Sequence, residues 1–405
     1  MKTERVKFRF RNLFNFRGFR FFESFIENKC IVCELRRTYK NIGICPDCGK
    51  RCRNILDRIK RTVRDLDVGG IKCFVDFISF KISCDCGYSG MELLDFCNKH
   101  SRHTKRFEER VAIFCRAMTV KDVAEEFQLS WQTVKDIDKN EMRKYIAPLS
   151  EAHPERIGID EIAYEKGHTY LTVVRDIDLR KVIWVGEGRK KEDLNRFFEE
   201  LGKERSSRIK AAVMDMWDPY IASVKQHTKS DIVFGKFHIA KKVNDALDKV
   251  RKKEFATSSK EEKKAMKKKR FLILTRNERL EKDKKEELDN LMKKNTNLYS
   301  AYLLKEQALD ILDEKSEEKG MGRFKIWFEN VIKSGFEEFK SVVNTLMRYW
   351  YGVVNFFKHQ VTNAGSEGFN NKINVIKRKA FGFRDIEYFK LKILQSCGRF
   401  LPKNQ

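Results

Sequence analysis

The chain has 405 residues, 41% of them hydrophobic, which suits two or three domains with cores of their own and excludes wholesale disorder. Its 85 Lys and Arg against 59 Asp and Glu leave a formal charge of +26 and a pI near 9.5. A field of that sign attracts polyanions and makes nucleic acid the first partner to consider, with a basic ribosome-associated or merely soluble protein as the alternative. Eleven cysteines with no signal-like apolar segment, and no run of about 20 apolar residues, argue against a disulfide scaffold and a membrane protein; reduced thiols in a cytoplasmic protein are expected.

Ten of the eleven cysteines precede residue 116, which marks an N-terminal metal-binding region. Residues 1–29 interleave Phe with Arg, as in Val6 to Arg11, and this period of two predicts a short strand. Its rings could pack as an edge sheet on the cysteine module or stack on bases. Phe25 to Tyr39 also reads as strand, so Cys30-Ile-Val-Cys33 is read as packing, with a redox pair as the alternative. Cys45-Pro-Asp-Cys48-Gly is a knuckle that aims two thiolates at one ion, and Cys84-Asp-Cys86-Gly, beyond a strand from Ile71 to Ile82, supplies a second pair. A four-cysteine zinc site follows. The tight Cys84 to Cys86 gap leaves Cys52, Cys97 and His100 as substitute ligands.

Residues 104–149 turn helical, and Thr119 to Ile137 has the apolar spacing of two short helices joined at Gln128 to Ser130. This predicts a helix-turn-helix, with a plain helical hairpin as the alternative. Ser130 would cap the second helix, Trp131, Gln132 and Lys135 would meet DNA, and Val134 and Ile137 would face the core.

From residue 157 the pattern alternates: strands at Ile157–Ala163, Tyr170–Asp176 and Val182–Gly186, a helix over Glu192–Leu201, a strand at Ile209–Asp215, a helix after Trp217, and a strand at Asp231–Phe234. Three consecutive strands followed by alternating helix and strand is the order of a ribonuclease H-like mixed sheet. Residues 236–350 are predicted helical. Within them Lys249 to Arg270 is strongly basic, either a solvated helix face or a track for phosphates.

Two acids interrupt apolar strands, Asp160 in Ile157-Gly-Ile-Asp-Glu and Asp215 in Ala211-Ala-Val-Met-Asp. Carboxylates on adjacent strands repel unless a divalent cation neutralises them, and a hard ion such as magnesium suits oxygen ligands. The third is Glu367. A helix capped by Ser366 would put Glu367, Asn370, Asn371 and Asn374 on one face and Phe369, Ile373 and Ile376 toward the core. Two metals roughly 4 Å apart would then activate a water or a 3′ hydroxyl and stabilise the leaving oxygen of a phosphoryl transfer. Each acid alone also has an ordinary reading: a strand-end cap at Asp160, a helix cap at Asp215, a first-turn acid at Glu367. Glu161, Asp176, Asp178 and Asp218 compete nearby, with Glu161 and Asp218 as possible helpers.

Gly158-Ile-Asp-Glu, Lys166-Gly-His-Thr-Tyr, Gly188-Arg, Met214-Asp-Met-Trp, Lys236-Phe-His and Glu367-Gly-Phe-Asn-Asn-Lys-Ile, then Lys377-Arg with Phe381-Gly-Phe, occur in one order. Together they resemble the insertion-sequence transposases of the ISL-three family, from the Cys45 module to about Leu394. The resemblance implies a DDE triad, matched by Asp160, Asp215 and Glu367 with two Mg(2+) or Mn(2+), and a helical insertion between the second and third acids. It implies cutting and joining of DNA at terminal inverted repeats. Gly235 departs from the pattern: relatives usually carry Asp there, three residues before the counterpart of His238. His238 stands with Glu161 and Asn371 as a supporting residue.

The expected organisation is therefore a strand-rich segment and zinc module over 1–100, a helix-turn-helix over 101–150, the first part of an α/β ribonuclease H-like core over 151–240, a basic all-α insertion over 241–350 and the final core helices over 351–405. Double-stranded DNA is the expected partner, as inverted-repeat ends and as target. Because two ends must be paired, a homo-oligomer on DNA is expected in a prokaryotic, nucleoid-associated setting. A catalytically inactive DNA-binding regulator is the rival reading, and a nuclease or resolvase without strand transfer is a third.

Overall fold

The structure is a computed structural model that describes residues 14–39, 41–165, 169–361, 364–380, 382–398 and 400, apart from the side chains at 165, 265 and 364–367. The chain divides into two compact units, Met1–Lys144 and Tyr145–Gln405.

In the first unit, β1 (Phe19–Glu27) and β2 (Cys30–Arg37) form a hairpin, followed by the short β3 (Gly43–Ile44) and β4 (Arg51–Cys52), the long β5 (Ile55–Val68) and β6 (Ile71–Ser83), and β7 (Ser89–Met91). The single strand expected over Phe25 to Tyr39 is thus corrected to two. Asn28 and Lys29 both take positive φ, 49° and 62°, which is the twist a two-residue hairpin demands, and neither residue type advertises it as strongly as Asn-Gly. Gly69 and Gly70, at +58° and +80°, turn β5 into β6 the same way. The sheet runs β1-β2-β6-β5 with β7 on β6, and only β2 and β6 are parallel.

Phe14, Phe16 and Phe19 are buried with Phe77 and Phe96, so these rings serve packing rather than base stacking. The Val6 to Arg11 stretch lies outside the described residues. Cys33 is buried with its Sγ 3.9 Å from that of Cys73 on the paired strand, in keeping with a packing role.

Three helices follow, α1 (Lys105–Ala117), α2 (Val120–Phe127) and α3 (Trp131–Tyr145). Thr119 and Asp122 cap α2 reciprocally, at 3.2 and 3.3 Å, and Gln128 ends it in the left-handed region. The Ser130 hydroxyl accepts from the Thr133 amide at 3.1 Å, which starts α3 where expected. The expected separation near residue 100 is bridged by buried charge. Asp65 of β5, fully buried, accepts from Thr104 Oγ1 and Arg106 Nε, each at 2.7 Å, and the Arg64 guanidinium lies 4.8 Å from the Phe107 ring. The cysteine module and the helices are one body.

The second unit opens with β8 (Arg156–Glu165), β9 (Thr169–Asp176) and β10 (Lys181–Glu187), then α4 (Lys191–Leu201), the single turn α5 (Lys203–Ser206), β11 (Ala211–Met214), α6 (Asp218–His227) and β12 (Asp231–Phe234). The sheet order is β10-β9-β8-β11-β12; β9 is antiparallel to both β10 and β8, and β11 is parallel to both β8 and β12. Next come α7 (Lys236–Thr257), α8 (Lys260–Met266), α9 (Arg270–Leu274), α10 (Lys282–Met292), α11 (Thr296–Ile311), α12 (Glu317–Ser334), α13 (Glu337–Arg348), α14 (Trp350–His359), α15 (Ala364–Lys379) and α16 (Ile386–Cys397). The helical insertion packs around Phe324, Trp327 and Phe339.

Strand alternation assigns the two faces of the sheet. Ile157 and Ile159 pack with Leu194, Phe197 and Val224 of α4 and α6, whereas Ile162, Tyr164, Leu171 and Val173 pack with Ile373, Phe389 and Ile393 of α15 and α16. Even-numbered positions of β8 therefore look toward α15. Part of the basic stretch is answered by acids: Arg251, Lys252 and Arg270 converge on Asp248, Lys253 pairs with Glu338 and Lys269 with Glu287. That pattern suits a solvated, ion-paired face.

Candidate functional site

Asp160 sits on the α15 side of β8, 8% exposed. The neighbouring parallel strand pairs Val213 with Gly158, and two residues further along each strand stand Asp215 and Asp160. His238, in the first turn of α7, lies between them, its Nε2 3.9 Å from Asp160 Oδ1 and its Nδ1 3.6 Å from Asp215 Oδ2. These contacts are longer than hydrogen bonds. Asp215 is open to solvent, with its Oδ1 accepting from the Met216 amide at 2.7 Å. Gly235 is the N-cap residue of α7, and His238, three residues on, faces Asp160 and Asp215.

Sequence reasoning missed Arg175. It lies opposite Gly158 in the β8–β9 register, is 5% exposed, and donates from Nη2 to Asp160 Oδ2 at 3.0 Å. A Cβ at position 158 would stand 2.8 Å from that nitrogen, so the glycine opens the channel along which the guanidinium reaches the acid. Burial pulls the Arg175 pKa below its ordinary value, and the Asp160 charge opposes the shift. The signal in the sequence was a lone Arg inside an apolar strand, two residues out of register from the acid.

α15 packs on β8 and against α16, and Lys377 Nζ reaches the Ala163 carbonyl at 3.1 Å. It starts at Ala364, so Ser366, the expected cap, lies inside its first turn. Glu367 lies in its first turn, its side chain outside the described residues. Ile373 is buried with Phe369 and Ile376 partly so, Asn370 and Asn374 are half-buried and Asn371 is exposed. The Lys166 to His168 segment is also outside the described residues.

The competing acids are occupied. Asp218 accepts from Arg348 at 2.9 Å and Tyr349 at 2.7 Å, Asp176 caps its own turn through the Leu179 amide at 2.9 Å, and Asp178 pairs with Arg156. Glu161 points to the opposite face from Asp160, toward Arg189 at 3.7 Å.

In the first unit the sulfurs of Cys45, Cys48, Cys84 and Cys86 all lie within 4.8 Å of one another, with Cys45–Cys86 and Cys48–Cys84 both at 3.6 Å. Zn–S bonds of about 2.3 Å in a tetrahedron require sulfur separations of about 3.8 Å, so this cluster could hold zinc. Each pair sits on a loop that turns at a glycine: the Gly49 amide bonds the Cys45 carbonyl at 3.0 Å and the Gly87 amide the Cys84 carbonyl at 2.9 Å, with φ of +71° and +95°. The substitute ligands do not join. Cys52 Sγ donates to the Ser83 carbonyl at 2.8 Å, Cys97 is buried beside Arg61, and the described cluster does not include His100.

On α3, Val134 and Ile137 are buried, Trp131 is 62% exposed with Lys135 Nζ 5.6 Å from its ring, and Gln132 reaches Asp136 at 2.9 Å. Among the described residues no helix is long and apolar enough to cross a membrane.

A four-cysteine cluster and helix-turn-helix ahead of a mixed sheet that brings two acids together on neighbouring strands is the organisation of a DNA transposase. Residues 157–393 match a family described as Transposase, and residues 92–141 match the helix-turn-helix domain of transposase family ISL3. The transposase for insertion sequence element IS1001 of Bordetella parapertussis is 32% identical over 358 residues, 87% of this chain and 88% of that protein. The transposase for insertion sequence element IS1557 of Mycobacterium tuberculosis is 27% identical over 384 residues, 87% of this chain and 85% of that protein. The chain belongs to the ISL3 family of transposases, and its helix-turn-helix is a DNA-binding domain.

Proposed function

We propose that this transposase cuts and joins DNA at the terminal inverted repeats of its own insertion sequence, on a ribonuclease H-like core, with Asp160, Asp215 and Glu367 as its acidic triad. The observation that carries the reading is the juxtaposition of Asp160 and Asp215 on adjacent parallel strands around one imidazole. The sheet order, with an antiparallel trio followed by two parallel strands, supports the ribonuclease H-like assignment. The helix bearing Glu367 packs on the face from which Asp160 projects, which supports the third member.

Carboxylate oxygens brought together on neighbouring strands suit a hard divalent cation. Two magnesium or manganese ions held by the triad would supply an activated water or 3′ hydroxyl and steady the leaving oxygen. The protein's own groups do the positioning. Arg175 holds one Asp160 oxygen and leaves the other facing His238. His238 presents a ring nitrogen to each acid. The zinc module would brace the helix-turn-helix through the Asp65 lock, with Trp131, Gln132 and Lys135 of α3 meeting DNA after an exposed Ser130 start. Pairing two ends calls for a homo-oligomer on DNA.

The test uses labelled DNA carrying the element's end, with magnesium or manganese. Wild type nicks and joins it, while Asp160→Asn, Asp215→Asn and Glu367→Gln bind the DNA and do neither. Equal cleavage by all four proteins removes the triad, and binding without cleavage by wild type favours an inactive regulator.

A further inference from the structure

On the face of the catalytic sheet opposite Asp160, a groove of about 570 Å³ opens between Tyr170 at the start of β9, the loop from Gly188 to Lys191 and Trp217. Its accessible wall is mostly apolar, yet its rim carries Arg189, Lys190 and Lys191. Trp217 is 39% exposed, and its ring is held in place because Nε1 donates to the Arg189 carbonyl at 3.1 Å. The Arg189 guanidinium lies 4.1 Å from the Tyr170 ring centre and 5.2 Å from that of Trp217, with Glu161 3.7 Å away. The one acidic carboxylate buried in the wall, Asp193, is spent on the Lys190 amide at 2.9 Å and the Arg196 side chain at 3.0 Å; Glu192 remains exposed at the rim.

A groove with a fixed indole and three cations on one loop suits a nucleotide: a π-face for a base and positive charge for its phosphate. A metabolite of similar size would also fit the volume, but position decides. Glu161 directly follows Asp160 in β8, and Trp217 follows Asp215 by two residues, so the groove and the acid pair both adjoin the middle of β8 and the C-terminal end of β11. DNA strands crossing there would bring a neighbouring nucleotide to the groove. We propose that the Trp217 groove captures one unpaired nucleotide of the DNA end, next to the phosphate held at Asp160 and Asp215, with the base stacked on Trp217 and its phosphate on Arg189 and Lys190. The site tolerates any base, because stacking reads no sequence. Removing a base from the duplex stack costs free energy, and this groove offsets part of that cost. The assignment deepens the catalytic reading above and rests on it for the identity of the DNA.

The test uses full-length protein and two probes. The first is a twelve-residue oligothymidine with 2-aminopurine at its centre; the second is the element's end as duplex, with 2-aminopurine moved one position at a time across the cut. With wild type, emission changes at one position near the cut, where the base leaves the stack and meets the indole. Trp217→Ala abolishes that change and weakens oligonucleotide binding about tenfold or more, Arg189→Gln weakens it several-fold, and Trp217→Phe stays within about threefold of wild type. An abasic site or mismatch at the responsive position restores cleavage by Trp217→Ala, since no pair need then be opened. The same emission and affinity in wild type and Trp217→Ala overturn the proposal. So does a Trp217→Ala deficit that Trp217→Phe shares in full, which would make the indole a structural support for Arg189. The two readings separate cleanly: Trp217-dependent binding of the oligonucleotide without cleavage of end DNA sinks the triad and keeps the groove, and normal cleavage with an indifferent Trp217→Ala does the reverse.

Discussion

Arg175→Met is the sharpest test of how the acid site is held together. Both partners are almost fully buried, the Arg175 side chain 5% and the Asp160 side chain 8% exposed, and joined at 3.0 Å. Methionine keeps most of the aliphatic volume and removes the guanidinium, so the loss is that of a partner to a buried carboxylate. Breaking such a pair costs 3–5 kcal/mol, and the lower end, about 3 kcal/mol, applies because His238 lies 3.9 Å away and the site is open on the Asp215 side. For a unit of this size each kcal/mol moves Tm by about 2–4 °C, which gives a fall of about 6–12 °C. Measured by differential scanning calorimetry in EDTA, that fall should appear in the second unit's transition. Magnesium should then stabilise the variant more than wild type, because a cation bound at Asp160 supplies the missing charge. A Tm within about 2 °C of wild type in EDTA would refute the claim that Arg175 neutralises Asp160. An unchanged deficit across a magnesium titration would refute the claim that the cation reaches that carboxylate.

Zinc analysis of purified protein should return one ion per chain, and Cys48→Ser or Cys84→Ser should lose it. A strong chelator, or pH low enough to protonate the thiolates, should unfold the first unit and end DNA binding, since metal binding and folding share one free energy there; a chelated protein with unchanged Tm would exclude the site. Lys135→Gln should weaken DNA binding across sequences and flatten the salt dependence of log K by about one, read by anisotropy over a salt series, whereas Trp131→Ala should reduce the preference for the element's end. Asp65→Ala, which removes a fully buried acid from Thr104 and Arg106, should destabilise the first unit by about 3 kcal/mol and be seen as one transition splitting into two. At Gly188, φ is +89° and an added Cβ would stand 2.0 Å from the Asp193 carboxylate; Gly188→Ala should cost about 2 kcal/mol or more and lower Tm, and a neutral result would show that the loop has room to shift.

Much of the architecture was written locally. Short apolar runs located β8 to β12, and the apolar spacing from Thr119 together with the Ser130 cap located the two helices of the helix-turn-helix, because a cap and an apolar pattern are properties of neighbouring residues. The hairpin at Asn28 and Lys29 was missed for the converse reason: its turn residues acquire positive φ from the pairing of the flanking strands and signal it weakly by themselves.

The acids divide in the same way. The sequence by itself determined that Asp160 interrupts one apolar strand and Asp215 ends another, and that Cys45, Cys48, Cys84 and Cys86 come in two ligand-like pairs. Only tertiary structure decided that the two strands are adjacent and parallel, that His238 stands between their acids, that Asp218 is tied to Arg348 and Tyr349, and that Arg175 reaches Asp160 through the space Gly158 leaves. Spacing along a chain fixes which face of a strand a side chain takes. Which charge meets it there depends on strand order and register, and these are set by how the whole sheet buries its apolar surface.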